Sequence, residues 1–254
     1  MSEGRLDIVG LGPGPFEMMT IETLRLVEAA TDLVGYEPYL DRLPILTKQK
    51  RHASDNRVEI DRARLALDLA LSGRQVAVVS GGDPGIFAMA AAVFEAVDKG
   101  DPRWGSLEIE THPGVSAMLA AAARLGAPLG HDFAALSLSD NLKPWRVIER
   151  RLKAASEGDF VLVLYNPASK ARPQLVHDAF ALLRLLKPAD TIVAFARAIG
   201  RPDERVELTS LGGADPSQSD MSTLILIGSS QTRRVERADG SCWIYTPRSY
   251  GAAE

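Results

Sequence analysis

The chain has 254 residues, 46% of them apolar, and its 29 lysines and arginines stand against 33 aspartates and glutamates, a formal net charge of -4. That balance excludes an electrostatic trap for nucleic acid, and the apolar share suffices for one large domain or two medium ones. One cysteine, Cys242, excludes an internal disulfide and a cysteine-rich metal site; His52, His112, His131 and His177 are scattered without ligand spacing, so no metal is expected.

No apolar run approaches the ~20 residues of a membrane span. The polar first residues carry no signal peptide. The expectation is a cytoplasmic protein with no membrane partner.

Residues 6–9 read as a first strand that runs into the turn Gly10-Leu11-Gly12-Pro13-Gly14. A helix follows over 20–30 with Thr20 as N-cap, then a short strand over 31–34. Asp55 or Asn56 is placed to cap a helix over 58–71, with Val58, Leu65 and Leu69 at helical spacing and Gly73 as its stop. Residues 75–79 form a β-branched strand, and 107–109 another. Between them a helix covers 88–97, with Asp83 suited to its N-cap and Pro84 to its first position. An alanine-rich helix over 115–125 stops at Gly126.

The second half keeps the strand–helix rhythm and then drops it. Strands are expected over 133–138, 160–165 and 191–196, and helices over 145–155 and 174–186. After Ala198, strands over 206–208, 224–227 and 242–245 follow one another with no helix between, which predicts antiparallel pairing. The fold class is therefore α/β, in two domains, 1–116 and 117–254. The first sheet is mainly parallel and the second mixed, with the active site expected in a cleft between the domains.

The most informative segment is Ser80-Gly81-Gly82-Asp83-Pro84-Gly85-Ile86-Phe87. A strand, a turn bare of Cβ atoms and a helix start make a common binding geometry in α/β proteins. Asp83 accepts from amines and hydroxyls rather than pairing with phosphate, which points to a ligand with an amino group or positive charge. Gly10 to Gly14 fails the dinucleotide fingerprint because Pro15 occupies its sixth position; it reads equally as a tight turn or as a rigid lip beside a ligand. Ser116 and Ala117 either cap a helix or leave room for a planar ring. Tyr165-Asn166-Pro167 ends a buried strand where ligands sit in open sheets, and is also an ordinary turn signal. Ser222 and Thr223 are ligand donors or strand-edge residues. Residues 42–57 carry Lys48, Lys50, Arg51 and Arg57 with only Asp55 opposing, either a solvated loop or a patch for an anionic substrate. No serine or cysteine nucleophile sits in a recognisable elbow.

Six motifs in order, GLGPG, SGGDPGIF, PGVSA, YNP, ARAIGRPDE and DMSTLILIG, span nearly the whole chain and resemble those of tetrapyrrole methyltransferases. These are the class III enzymes that use S-adenosylmethionine in cobalamin and sirohaem biosynthesis. Within the family, GYEPYL at 35–40, the stretch 53–70 and LYNPASKARP at 164–173 resemble the members that methylate precorrin-3B at C17 and contract the ring to precorrin-4. Asp55-Asn56 departs from the Gly-Met pair of many relatives. With one cysteine, the chain lacks ligands for the cluster-bearing extension of some relatives, so the resemblance implies the oxygen-dependent, cobalt-free branch.

The resemblance implies a homodimer of two-domain subunits. It places a folded S-adenosylmethionine, leaving as S-adenosylhomocysteine, on Pro13, Gly81, Gly82, Asp83, Ile86, Ser116, Ala117, Asn166, Ala198 and Thr223. The substrate's carboxylates are expected at Gly12, Lys48, Lys50, Arg51 and Arg57. His52, Lys48 and Arg57 are candidates for proton transfer in ring contraction, with no catalytic group assigned. Alternatives are a sister enzyme acting on precorrin-2 or precorrin-4, a nicotinamide-dependent reductase, which Pro15 disfavours while Glu37 leaves arguable, and a non-catalytic tetrapyrrole carrier.

Overall fold

A computed structural model describes residues 4–55, 58–168 and 172–250. Asn56 and Arg57, and with them one proposed helix cap and one proposed substrate contact, lie outside the described residues. The chain divides into two compact units, Met1–Ala117 and Met118–Glu254.

In the first unit, β1 (Arg5–Gly10), β2 (Asp32–Tyr36), β3 (Lys50–Ser54), β4 (Gln75–Ser80) and β5 (Glu108–His112) form one sheet in the order β3-β2-β4-β1-β5. Every pairing in it is parallel. Its connections carry α1 (Ile21–Ala29), α2 (Glu37–Leu40), α3 (Glu59–Leu71) and α4 (Met89–Lys99). A parallel sheet of this kind is covered on both faces, so its central strands are apolar on both. Leu6, Ile8, Val76 and Val78 pack on one face against Ala63, Ala66, Leu67 and Val93. Val9, Leu33, Ala77 and Val79 pack on the other against Val27 and Leu40.

Thr20 caps α1 as expected, its hydroxyl accepting from the Thr23 N–H at 3.0 Å. Three local expectations are corrected. First, α3 starts after Val58, with no side-chain cap, and Asp55 lies too far before it to serve. Its buried stripe runs through Ala63, Ala66, Leu67 and Ala70, while Leu65 is 42% exposed. Second, α4 begins at Met89 after Ala88 with no side-chain cap, and the carboxylate of Asp83 accepts from Gly85 and Gly114 instead. Third, the basic segment is partly a strand: β3 pairs with β2 from Asp32↔Lys50 to Tyr36↔Ser54.

In the second unit, α5 (Ala117–Leu125) leads into β6 (Gly126–Ala127), β7 (Phe133–Ser137), α6 (Trp145–Glu157), β8 (Val161–Tyr165) and α7 (Gln174–Leu186). Then come β9 (Ile192–Arg197), β10 (Arg205–Ser210), β11 (Thr223–Ile227), β12 (Arg233–Glu236) and β13 (Cys242–Tyr245). The main sheet runs β10-β9-β11-β8-β7. It is mixed: β7 and β8 are parallel, and β8–β11, β11–β9 and β9–β10 are antiparallel. Phe180, fully buried, stacks on Phe195 at a centroid distance of 5.8 Å in the core beneath α6 and α7. The 242–245 strand leaves this sheet. β13 pairs with β12 and β6 in a separate three-stranded sheet. No described helix is long and apolar enough to cross a membrane.

Candidate functional site

A parallel sheet delivers the carboxyl end of every strand to one edge, where loops can carry function without disturbing the core. In the first unit that edge gathers the turns after Gly10, Tyr36, Ser54, Ser80 and His112. The backbones there are in direct contact. A Cβ on Gly10 would lie 2.7 Å from Gly114 and from the Gly82 carbonyl; one on Gly114 would lie 2.3 Å from that same carbonyl. Gly12 and Gly82, at φ +68° each, exchange hydrogen bonds: Gly12 N–H donates to Gly82 O at 3.1 Å, and Gly82 N–H to Gly12 O at 2.9 Å.

The two glycines of the SGGD turn do different work. A Cβ on Gly81 would meet the Tyr39 ring at 2.6 Å, so its bareness admits the protein's own aromatic side chain. Gly82 has nothing nearer than 3.9 Å at its Cβ position, so its φ of +68° rather than crowding calls for glycine there. Asp83 accepts from Gly85 N–H at 2.8 Å through Oδ1 and from Gly114 N–H at 3.1 Å through Oδ2. Sequence reasoning offers this carboxylate both as a helix cap and as an acceptor for a ligand's amine; the structure uses it to tie two turns together. Pro13 is buried, Ile86 half-buried, and Ser116 is buried immediately before α5.

The second unit brings Asn166, Ala198 and Thr223 to one sheet edge. β8 ends at Tyr165 and β9 at Arg197, while β11, running the other way, starts there: Thr223 pairs with Arg197 and Ile225 with Leu164. The Ala198 N–H donates to Ser222 O at 2.9 Å. Asn166 and Ala198 adopt φ +52° and +51°, and Phe87, next to Ile86, +53°. Left-handed backbone at a non-glycine residue costs on the order of 1–3 kcal/mol and gathers at functional turns. The Thr223 hydroxyl is engaged within the chain, donating to Asp220 Oδ1 at 2.8 Å and accepting from its N–H at 3.1 Å. Burial alone would raise the Asp220 carboxyl, but hydrogen bonds from Thr223, Ser222 and Arg197 hold it below the ordinary carboxylate range.

The basic segment does not join the first edge. Lys50 is level with Asp32, at the amino end of the sheet, and Lys48 precedes it, exposed. Arg51 spends its guanidinium on the carbonyls of Leu40, Leu43 and Pro44. His52 Nε2 lies 2.8 Å from Asp32 Oδ1, and Arg74 Nε donates to Oδ2 of the same buried carboxylate at 2.7 Å. The parallel register carries Lys48 and Lys50 to the end of the sheet away from the glycine turns, and Arg57 lies outside the described residues.

Two arrangements escape sequence reasoning. Arg42 donates through Nη1 to Gly12 O at 3.0 Å, and through Nη2 to Leu11 O at 2.7 Å and Gly14 O at 2.5 Å. Across β1 and the edge strand β5, Asp7, Glu110 and His112 offer ligand atoms within 4.8 Å of one another. Arg5 already bridges Asp7, Glu108 and Glu110 there, and its hydrogen bond to Asp7 helps to raise its pKa further.

The family profile "Tetrapyrrole (Corrin/Porphyrin) Methylases" matches residues 5–215. A Sinorhizobium sp protein named "Precorrin-3B C(17)-methyltransferase" is 58% identical over 250 residues, covering 98% of each chain. The crystal structure of the methyltransferase CobJ superposes with a TM-score of 0.92 at 46% identity, covering 96% of this chain and 100% of that one. The fold is also that of a Thermus thermophilus uroporphyrin-III C-methyl transferase complexed with S-adenyl homocysteine, at a TM-score of 0.67, 24% identity, and 89% and 97% coverage. The chain is a methyltransferase of the tetrapyrrole (corrin/porphyrin) methylase family.

Proposed function

We propose that this chain methylates precorrin-3B at C17 in cobalamin biosynthesis and contracts the macrocycle to precorrin-4, with S-adenosylmethionine as methyl donor. The observation that carries this reading is the identity to the Sinorhizobium relative, sustained over nearly the full length of both chains. The substrate is metal-free in this reading, in keeping with the precorrin of that relative's name.

The residues fit such a donor. Gly82 leaves a space that a Cβ would fill, and Asp83, next along the chain, supplies a carboxylate held by Gly85 and Gly114. Asn166 and Ala198 hold strained backbone at the edge where Thr223 begins β11. Pro13, Gly81, Gly82, Asp83, Ile86, Ser116, Ala117, Asn166, Ala198 and Thr223 are the residues proposed to hold the donor, and Gly12 to contact the macrocycle. When bound, S-adenosylmethionine supplies an electrophilic methyl on a positively charged sulfur. The electron-rich ring carbon is itself the nucleophile, so the chain's task is alignment and exclusion of water, which can be worth roughly 7–11 kcal/mol. His52, tied to Asp32, is not proposed as a proton carrier. A homodimer in the cytoplasm is proposed on the family resemblance alone.

Calorimetric titration tests the donor assignment. S-adenosylhomocysteine is expected to release or absorb heat with a one-to-one endpoint, and NADH to give none. Binding of NADH without S-adenosylhomocysteine would replace this reading with the reductase.

A further inference from the structure

We infer that Arg42 is a positioning residue for the ligand-facing lip Leu11 to Gly14, an inference that rests on the donor and substrate site proposed above. Its guanidinium draws three carbonyls of one short loop, Leu11, Gly12 and Gly14, onto a single cation. Three carbonyl dipoles converging on one point repel unless a positive charge sits there, and a planar fork of donors meets several of them at once. The Gly12 carbonyl accepts from Arg42 and from Gly82 N–H together, so the same contact steadies the SGGD turn.

The brace is itself braced. Arg51 holds the carbonyls of Leu40 at 2.8 Å, Leu43 at 2.8 Å and Pro44 at 2.7 Å, fixing the segment from which Arg42 reaches. Tyr39, three residues earlier, lies against Gly81. The segment after β2 thus grips both glycine turns, Gly81 through a ring and Gly12 through a guanidinium. A charge-assisted contact of this kind holds a loop in one conformation without touching the ligand.

The test uses the full chain with Arg42→Ala and Arg42→Lys. Amide exchange at Gly12 and Gly82 is read by mass spectrometry, S-adenosylhomocysteine affinity by calorimetry, melting by light scattering and circular dichroism, and KM and kcat by methyl transfer to precorrin-3B. Arg42→Ala is expected to speed exchange at both amides and to weaken S-adenosylhomocysteine about tenfold or more, the loss tied to one hydrogen bond to a charged group. KM is expected to rise more than kcat falls, since the loop positions rather than reacts. Arg42→Lys keeps the charge but not the fork and is expected to fall between. Faster exchange with wild-type affinity and KM would make Arg42 a purely structural brace and overturn the inference, as would unchanged exchange. If Arg42→Ala does not fold, Arg42→Lys decides by the same readings. Wild-type protein that binds no S-adenosylhomocysteine would instead sink the proposed function, whatever the exchange shows.

Discussion

Asp83 reaches across the end of β1 to Gly114. Its Oδ2 accepts from the Gly114 N–H at 3.1 Å, joining the turn after β4 to the turn after β5, with β1 between them in the sheet. Gly10, at the end of β1, is bare because both neighbouring turns close over it. Asp83→Ala removes this bond and the one from Gly85, and is expected to weaken S-adenosylhomocysteine at least tenfold in calorimetry while costing about 1–3 kcal/mol of stability. At roughly 2–4 °C per kcal/mol for a chain of this size, melting should stay cooperative. Asp83→Asn, which keeps one acceptor oxygen, should lie between. Unchanged affinity in Asp83→Ala would remove Asp83 from the site.

Asn166 offers a second test, because two causes separate there. Its φ of +52° favours asparagine or glycine, and its Nδ2 donates to Ser137 Oγ at 3.0 Å. Asn166→Gly loses the hydrogen bond only. Asn166→Ala loses the bond too but keeps a Cβ in left-handed backbone, which glycine does not have, so it should stand ~1–2 kcal/mol below Asn166→Gly. Denaturant midpoints should rank wild type above Asn166→Gly and Asn166→Gly above Asn166→Ala. Equal midpoints for the two variants would contradict the strain assigned to this turn.

Much of the architecture is legible in residues, and the failures share a cause. Val76 to Val79 can only be a buried strand, and Thr20 followed by an apolar-periodic run marks a helix start. Lys50 to Ser54 carries no such signal: β3 is an edge strand with polar side chains, stabilised by pairing with Asp32 to Tyr36. Asp83-Pro84 looks like a helix cap because the local sequence does not reveal Gly114, 31 positions away. For the site, the glycine turns are legible through the backbone they require. The basic run is not legible in the same way, because a strand's direction decides which end of the sheet its side chains reach. Arg42 is invisible in sequence, since nothing local marks a guanidinium that will meet carbonyls 28 to 31 positions earlier.

Asp32 links folding to pH. Burial alone would raise its carboxyl, but hydrogen bonds from Arg74, His52 and Thr31, with the charge of Arg74, hold it below the ordinary carboxylate value. A carboxyl lower in the folded than in the unfolded chain contributes stability that is full above the unfolded pKa, about 4, and is lost as pH falls below it. Urea midpoints measured from pH 7 to pH 3 should therefore drop on the acid side. Asp32→Asn should start about 1–3 kcal/mol lower at pH 7 and fall less steeply. A parallel acid limb in both proteins would remove Asp32 from that dependence.

Gly81 and Tyr39 test the packing behind the SGGD turn. Gly81→Ala places a Cβ at 2.6 Å from the Tyr39 ring, and the ring must move. The expected cost is about 1–3 kcal/mol. In the Tyr39→Ala background the space is open, so Gly81→Ala should there cost less than half as much, a coupling that a double-mutant cycle reads directly. Additive losses would show that the ring is not what holds position 81 bare.

The most direct measurement is methyl transfer itself. The purified protein is incubated with S-adenosylmethionine carrying a carbon-13 methyl and with metal-free precorrin-3B, and the product is read by mass spectrometry and carbon NMR. One labelled methyl is expected, bonded to C17 of a contracted ring, with S-adenosylhomocysteine formed in equal amount. Label at another ring carbon, or a macrocycle recovered unlabelled from protein that binds S-adenosylhomocysteine, would contradict it.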